Sequence, residues 1–142
     1  MNRKAVSPLV ATVLLISFSV ALGAVVMNWA DSLSTYNTLC ENADINVIGS
    51  ACKTPDNIIQ ISIQNNEVPL EGIFFRIQGS KGVEEIVRPS KISAHGRDDF
   101  RVFFDGHLYG DFVSLEVFPV LTTGEQYCSG SGVQVRSLPM CS

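Results

Sequence analysis

The chain has 142 residues, 46% of them hydrophobic, with 10 basic and 14 acidic side chains and a net charge of −4. That length carries one domain and an appendage rather than two domains. No stretch concentrates Lys or Arg into a basic patch, so nucleic acid is excluded as the expected partner.

The first element is a run of 22 residues, Leu9 to Ala30, without a single charge, behind a short basic head at Arg3 and Lys4. As a helix it reaches about 33 Å at about 1.5 Å per residue, which matches a hydrocarbon core of about 30 Å. After the run come 14 acids against 8 bases. The positive-inside asymmetry therefore predicts a cytoplasmic N-terminus and an external remainder. Ser7 suits an N-cap, and Pro8 falls in the first turn, where its missing N–H costs nothing. Thr12, Ser17 and Ser19 are placed to return their hydroxyls to carbonyls one turn back. Ala11, Ala21, Gly23 and Ala24 let another helix approach closely. A secretory signal would have an apolar core of about 7–15 residues and then a small-residue cleavage site. Ala21-Leu22-Gly23 before Ala24 offers such a site, but the apolar run continues to Trp29. A single-pass anchor fits the length, the orientation and the interfacial Trp29.

The opening residues add a third reading. Arg3-Lys4-Ala5, followed by Val6-Ser7-Pro8-Leu9-Val10-Ala11-Thr12-Val13-Leu14-Leu15, resembles the N-terminus of archaeal type IV pilins. The resemblance implies that a prepilin peptidase cuts between Lys4 and Ala5, removing residues 1–4 as a leader and leaving the helix in place. Where bacterial type IV pilins carry a glutamate at the fifth mature place, this chain has Leu9, and it resembles archaeal members in lacking the glutamate. The resemblance further implies an assembly helix over residues 5–39, packed through Pro8, Leu9, Val13, Leu14, Ile16, Phe18, Val20, Leu22, Val25, Val26 and Trp29. Its partners would be other copies of the chain or related pilins in a helical surface filament. A secretion ATPase and a membrane platform protein would assemble it from the membrane, for adhesion or surface attachment. No cofactor, metal or enzymatic activity is implied. The alternative is a single-pass membrane-anchored extracellular binding module.

Leu33, Tyr36 and Leu39 continue the helical spacing past Trp29, with Asn37 a plausible stop. From Cys40 the period changes to two, the pattern of half-buried strands. Ile45 and Val47 point inward, as do Ile59, Ile61 and Ile63, then Ile73, Phe75 and Ile77. A short strand over Val83 to Arg88 precedes a loop from Pro89 to Gly96. Phe100, Val102 and Phe104 follow inward, then Val113, Leu115 and Val117, with Pro119 marking a bulge or edge, and Val133 and Val135 last. Phe74 and Phe103 fall on outward faces. The expected fold class is α+β: a long apolar helix, then an immunoglobulin-like β-sandwich over residues 40–142.

All four cysteines follow the run, at spacings unlike paired zinc ligands, so two disulfides in an oxidising compartment are expected. Residue numbers facing each other across an antiparallel pair have a constant sum. The couples Cys40–Cys141 and Cys52–Cys128 nearly share one, which favours them if the first and last strands pair. Local pairing, Cys40 with Cys52 and Cys128 with Cys141, is the other arrangement. Asp98, Asp99, Asp105 and Asp111 crowd around Gly106 and Gly110, which makes a loop calcium site conceivable but without EF-hand spacing. His95 and His107 have no nucleophile placed beside them by spacing.

Overall fold

The computed structural model describes residues 7–122 and 126–142, with backbone alone for 34–38. The chain separates into two units between Thr38 and Leu39.

Helix α1 spans Ser7–Glu41. Thr12, Ser17 and Ser19 donate to the carbonyls of Leu9, Val13 and Leu15, each at 2.8 Å. Their polar groups are thereby satisfied within the helix. Asn37 does not stop α1, which runs on to Glu41. There the N–H groups of Asn42 and Ala43 reach the carbonyls of Leu39 and Cys40, a tightened last turn that ends the helix without a glycine.

Seven strands follow: β1 (Ile45–Lys53), β2 (Ile58–Asn65), β3 (Leu70–Gly79), β4 (Val83–Ile92), β5 (Arg97–Phe103), β6 (Phe112–Val120) and β7 (Val133–Val135), with a four-residue helix α2 (Gly106–Tyr109) before β6. They form a three-stranded sheet, β1-β2-β5, and a four-stranded sheet, β4-β3-β6-β7, with every strand pair antiparallel. This is an immunoglobulin-like sandwich in which the fourth strand pairs with the third rather than with the fifth. The inner faces meet through Ile59, Ile61, Ile63 and Phe100 on one side and Ile73, Phe75, Ile77, Leu115 and Val117 on the other. The Phe75 and Phe100 rings touch edge to face across the sheets at 5.4 Å. The period-two alternation of apolar residues is what turns these faces toward each other.

Three strand details depart from simple alternation. β1 carries a two-residue irregularity: Ile48 faces Ser62 and Cys52 faces Gln60. Gly49 holds φ at 70°, a left-handed value that favours glycine, and its neighbour Ser50 is pushed outward while Ala51 is buried. β4 extends through the expected loop to Ile92 because a bulge between Leu70 and Gly72 absorbs the extra residue. β6 slips against β3 at Gly79, which pairs with Phe112, so Phe112 packs on the core and Val113, expected inside, is exposed.

The buried Asn65 ties one pole of the sandwich together. Its Nδ2 donates to the carbonyls of Val68 at 2.7 Å and Ser93 at 3.0 Å, fastening the β2–β3 and β4–β5 connections to each other. The amide nitrogen is satisfied by these carbonyls, while Oδ1 is buried without a partner among the described residues, so the donating Nδ2 is what this position uses.

The disulfides correct the expected pairing. Cys40 joins Cys128 and Cys52 joins Cys141, not Cys40–Cys141 and Cys52–Cys128. The first and last strands lie in different sheets, and the bridge that the end of β1 makes with the chain beyond β7, Lys53 with Met140, is parallel. Parallel neighbours keep a constant difference in residue number, and the two bridges span 88 and 89 residues. The near-equality that suggested an antiparallel sum is the same near-equality read with the wrong strand direction.

Candidate functional site

Three surfaces come into consideration, the first being α1. Pro8, Leu9, Val13, Leu14, Ile16, Phe18, Val20, Leu22, Val25, Val26 and Trp29 all lie on it and all are exposed. They leave no polar stripe, so the helix is apolar all round rather than amphipathic. The charge-poor stretch Ser7–Leu33, 27 residues, is long enough to cross a membrane. Lys4 and Ala5 lie outside the described residues.

The second surface is the outer face of the four-stranded sheet, and its own chain covers it. Phe74, expected to face outward, does so but is buried, because Tyr127 stacks on it at 4.0 Å with the rings 6° from parallel. Phe118 closes against both rings, and the Arg76 guanidinium lies over all three at 5.6–5.7 Å. Arg76 donates to Glu85 at 3.0 Å and to the Tyr127 hydroxyl at 2.6 Å, and it pairs with Glu116 at 3.5 Å. The hydrogen bond to Glu85 above all raises the Arg76 pKa, against the lowering effect of desolvation. Cys128 follows at once; its N–H donates to Pro119, and its sulfur reaches Cys40. Ser131 adds a hydrogen bond to the Cys40 carbonyl at 3.1 Å. The segment beyond β6 is thus fastened across this sheet.

The outer face of the three-stranded sheet, the third surface, is open. A cleft of about 510 Å³ runs along it, lined by Ser50, Gln60, Ser62, Asp99 and Arg101 among others. Gln60 faces Arg101 and Ser62 faces Asp99 across the β2–β5 ladder. Ser62 donates to Asp99, and Arg97 stands 3.8 Å from the same carboxylate oxygen. Phe103, outward as expected, is 53% exposed at the end of β5.

The four clustered acids do not converge. Asp98 accepts from Ser90 on β4, Asp99 from Ser62 on β2. Asp105 caps α2, accepting from the N–H groups of His107 at 2.9 Å and Leu108 at 3.3 Å. Among the described residues no three His, Cys, Asp or Glu side chains are grouped to hold a metal ion. His95 sits at φ 61° in the β4–β5 turn and His107 in α2.

Alternation alone missed the aromatic–arginine cluster. Phe74, Arg76, Glu116 and Phe118 do stand at period-two positions on their strands, but the ring that buries them arrives from Tyr127, 51 residues beyond Arg76 in sequence. The cleft was partly visible, since Gln60 and Ser62 alternate with inward isoleucines. No family model, no curated protein and no solved structure matches the chain.

Proposed function

We propose that this chain is a structural subunit of an archaeal type IV pilus-like surface filament, held in the membrane by α1 and then polymerised through it. The observation that carries the reading is a helix whose residues Leu9 to Ala30 carry no charge and are apolar on every side, joined to a disulfide-bonded sandwich that buries its own core. A helix with that surface is stable only in lipid or among similar helices. Covering each large side chain contributes ~1.5–3 kcal/mol before ordering costs, which drives self-association once the subunit leaves the bilayer. The basic–small junction Lys4-Ala5 ahead of the helix supplies the processing site, so the helix is retained rather than discarded with a signal.

The length of α1 and its Trp29 near one end also favour a permanent single-pass anchor presenting the sandwich outside. The mature N-terminus, measured by mass spectrometry on protein from membranes and from sheared surface material, separates the two. Ala5 in sheared filaments is expected. An intact Met1 confined to membranes would establish the anchor, and a start at Ala24 would overturn both readings. Neutralising the head with Arg3→Gln and Lys4→Gln should leave the precursor uncut and the filaments absent.

A further inference from the structure

We propose that the cleft on the outer face of the three-stranded sheet is a binding site for a neutral, hydroxyl-rich glycan. The inference concerns the sandwich alone and does not depend on assembly through α1.

The two outer faces of the sandwich have been treated differently by the chain. One is capped by Tyr127 and cross-linked through Cys128; the other carries no aromatic cap among the described residues, the C-terminal segment being tied at the cleft's margin through Cys52–Cys141, and its centre is hollowed rather than flat. The hollow has a structural origin. The irregularity in β1 between Ile48 and Cys52 lifts Gly49 and Ser50 out of register, and Ser50 forms one wall of the cleft.

The groups that meet there are a mixed set of donors and acceptors. The Gln60 amide offers both, and among the described residues its side chain has no hydrogen-bond partner of its own. Arg101 makes no ion pair among the described residues and presents a planar fork of N–H donors. Ser62 donates to Oδ1 of Asp99, and Arg97 approaches the same oxygen, so Oδ2 keeps its lone pairs as an acceptor. These form two rungs, Gln60 with Arg101 and Ser62 with Asp99, two residues apart along each strand. At ~3.3 Å per residue that is a spacing of about 7 Å. Phe103 stands two residues beyond Arg101 on the same face of β5, with its ring exposed.

A sugar is the ligand class this combination suits. Vicinal hydroxyls donate and accept at once, so they match amide, guanidinium and carboxylate groups on neighbouring rungs, and the C–H face of a ring packs on an aromatic side chain. Phosphate or nucleic acid is opposed by Asp99 and by the acidic surplus of the sandwich. An extended peptide would need either a free strand edge or apolar side-chain pockets, and this cleft lies on a face and is lined by polar groups.

The test uses the full chain in a detergent without sugar head groups, titrated calorimetrically with hexamers of glucose, mannose and N-acetylglucosamine, and with a galacturonate hexamer as the acidic comparison. At least one neutral hexamer is expected to bind in the micromolar to millimolar range. Gln60→Ala and Arg101→Ala should each weaken it at least about tenfold. Phe103→Ala should weaken it as well, with Phe103→Trp restoring it, while Lys91→Ala on β4 should change nothing. All four positions reach solvent, and an unchanged unfolding temperature checks that each variant is folded. The proposal is overturned if no neutral hexamer binds, if only the galacturonate hexamer binds, or if binding is indifferent to both Gln60→Ala and Arg101→Ala.

Discussion

Helix α1 and the sandwich are both rich in apolar side chains, and they dispose of them in opposite ways. In the sandwich the apolar residues recur every second position, so two sheets turn them inward and Ile59, Ile63, Phe75 and Val117 lose all contact with water. In α1 they occupy every side of the helix, and Leu9, Phe18 and Trp29 keep about two-thirds or more of their surface exposed. The lesson is that one unit buries its own apolar surface and the other leaves its apolar surface uncovered by this chain.

The sharpest way to break that contrast is to remove one phenylalanine from each unit. Phe75→Ala should cost the sandwich about 3–5 kcal/mol, because its fully buried ring leaves a cavity against Phe100. Phe18→Ala should leave the unfolding of the sandwich unchanged and, on the proposed filament reading, lower the yield of filaments. Chemical denaturation of the full chain in detergent, followed by circular dichroism, reads the first; the amount of sheared surface material reads the second. Equal destabilisation by both substitutions would show that the two units share a core.

Next in size are the disulfides. Both belong to the sandwich unit, and each encloses most of it: Cys40–Cys128 closes a loop of 88 residues and Cys52–Cys141 one of 89. The paired substitution Cys40→Ser with Cys128→Ser should cost about 2–5 kcal/mol in thermal unfolding. Peptide mapping of the unreduced protein checks the pairing itself, and a Cys40–Cys141 peptide would contradict the parallel arrangement.

These same features mark what could be read from the sequence. α1 was legible as one long apolar helix because 22 residues run without a charge, and the strands because isoleucine, phenylalanine and valine alternate with polar residues. The disulfides were not, since nearly equal spacings serve an antiparallel sum and a parallel difference alike; only the sheet assignment of β1 and β7 decides. Val113 escaped because the slip at Gly79 reverses its face. Gly79 itself permits the close approach of α2, since a Cβ there would stand 2.1 Å from the Tyr109 carbonyl oxygen. The burial of Phe74 depends on Tyr127, and alternation within a strand carries no information about so distant a ring.

A smaller effect is expected at α2, a four-residue helix within the sandwich. Asp105→Ala removes the cap that holds the N–H groups of His107 and Leu108 and should cost about 1 kcal/mol. Asp105→Asn should recover most of it, because asparagine caps equally well. Thermal unfolding of the two variants side by side makes the comparison, and equal losses would show that the charge rather than the hydrogen bonds matters.

The smallest effect tests the same corner by pH. Glu84 on β4 has its pKa raised, first by desolvation and further by the Asp105 carboxylate, while the Asp105 N–H pulls it the other way. Its Oε2 is buried without a hydrogen-bond partner. A carboxyl whose folded pKa lies above its unfolded value holds its proton more tightly in the native state. Its protonated form therefore favours folding, and that contribution is lost as the pH rises from the ordinary glutamate range through the raised value. Glu84→Gln removes the charge but keeps an oxygen to accept from Asp105. The variant should unfold at a slightly higher temperature than the parent at neutral pH, and the gap should close as the pH falls to about 4. A gap of the same size at both pH values would assign the change to packing and not to the proton.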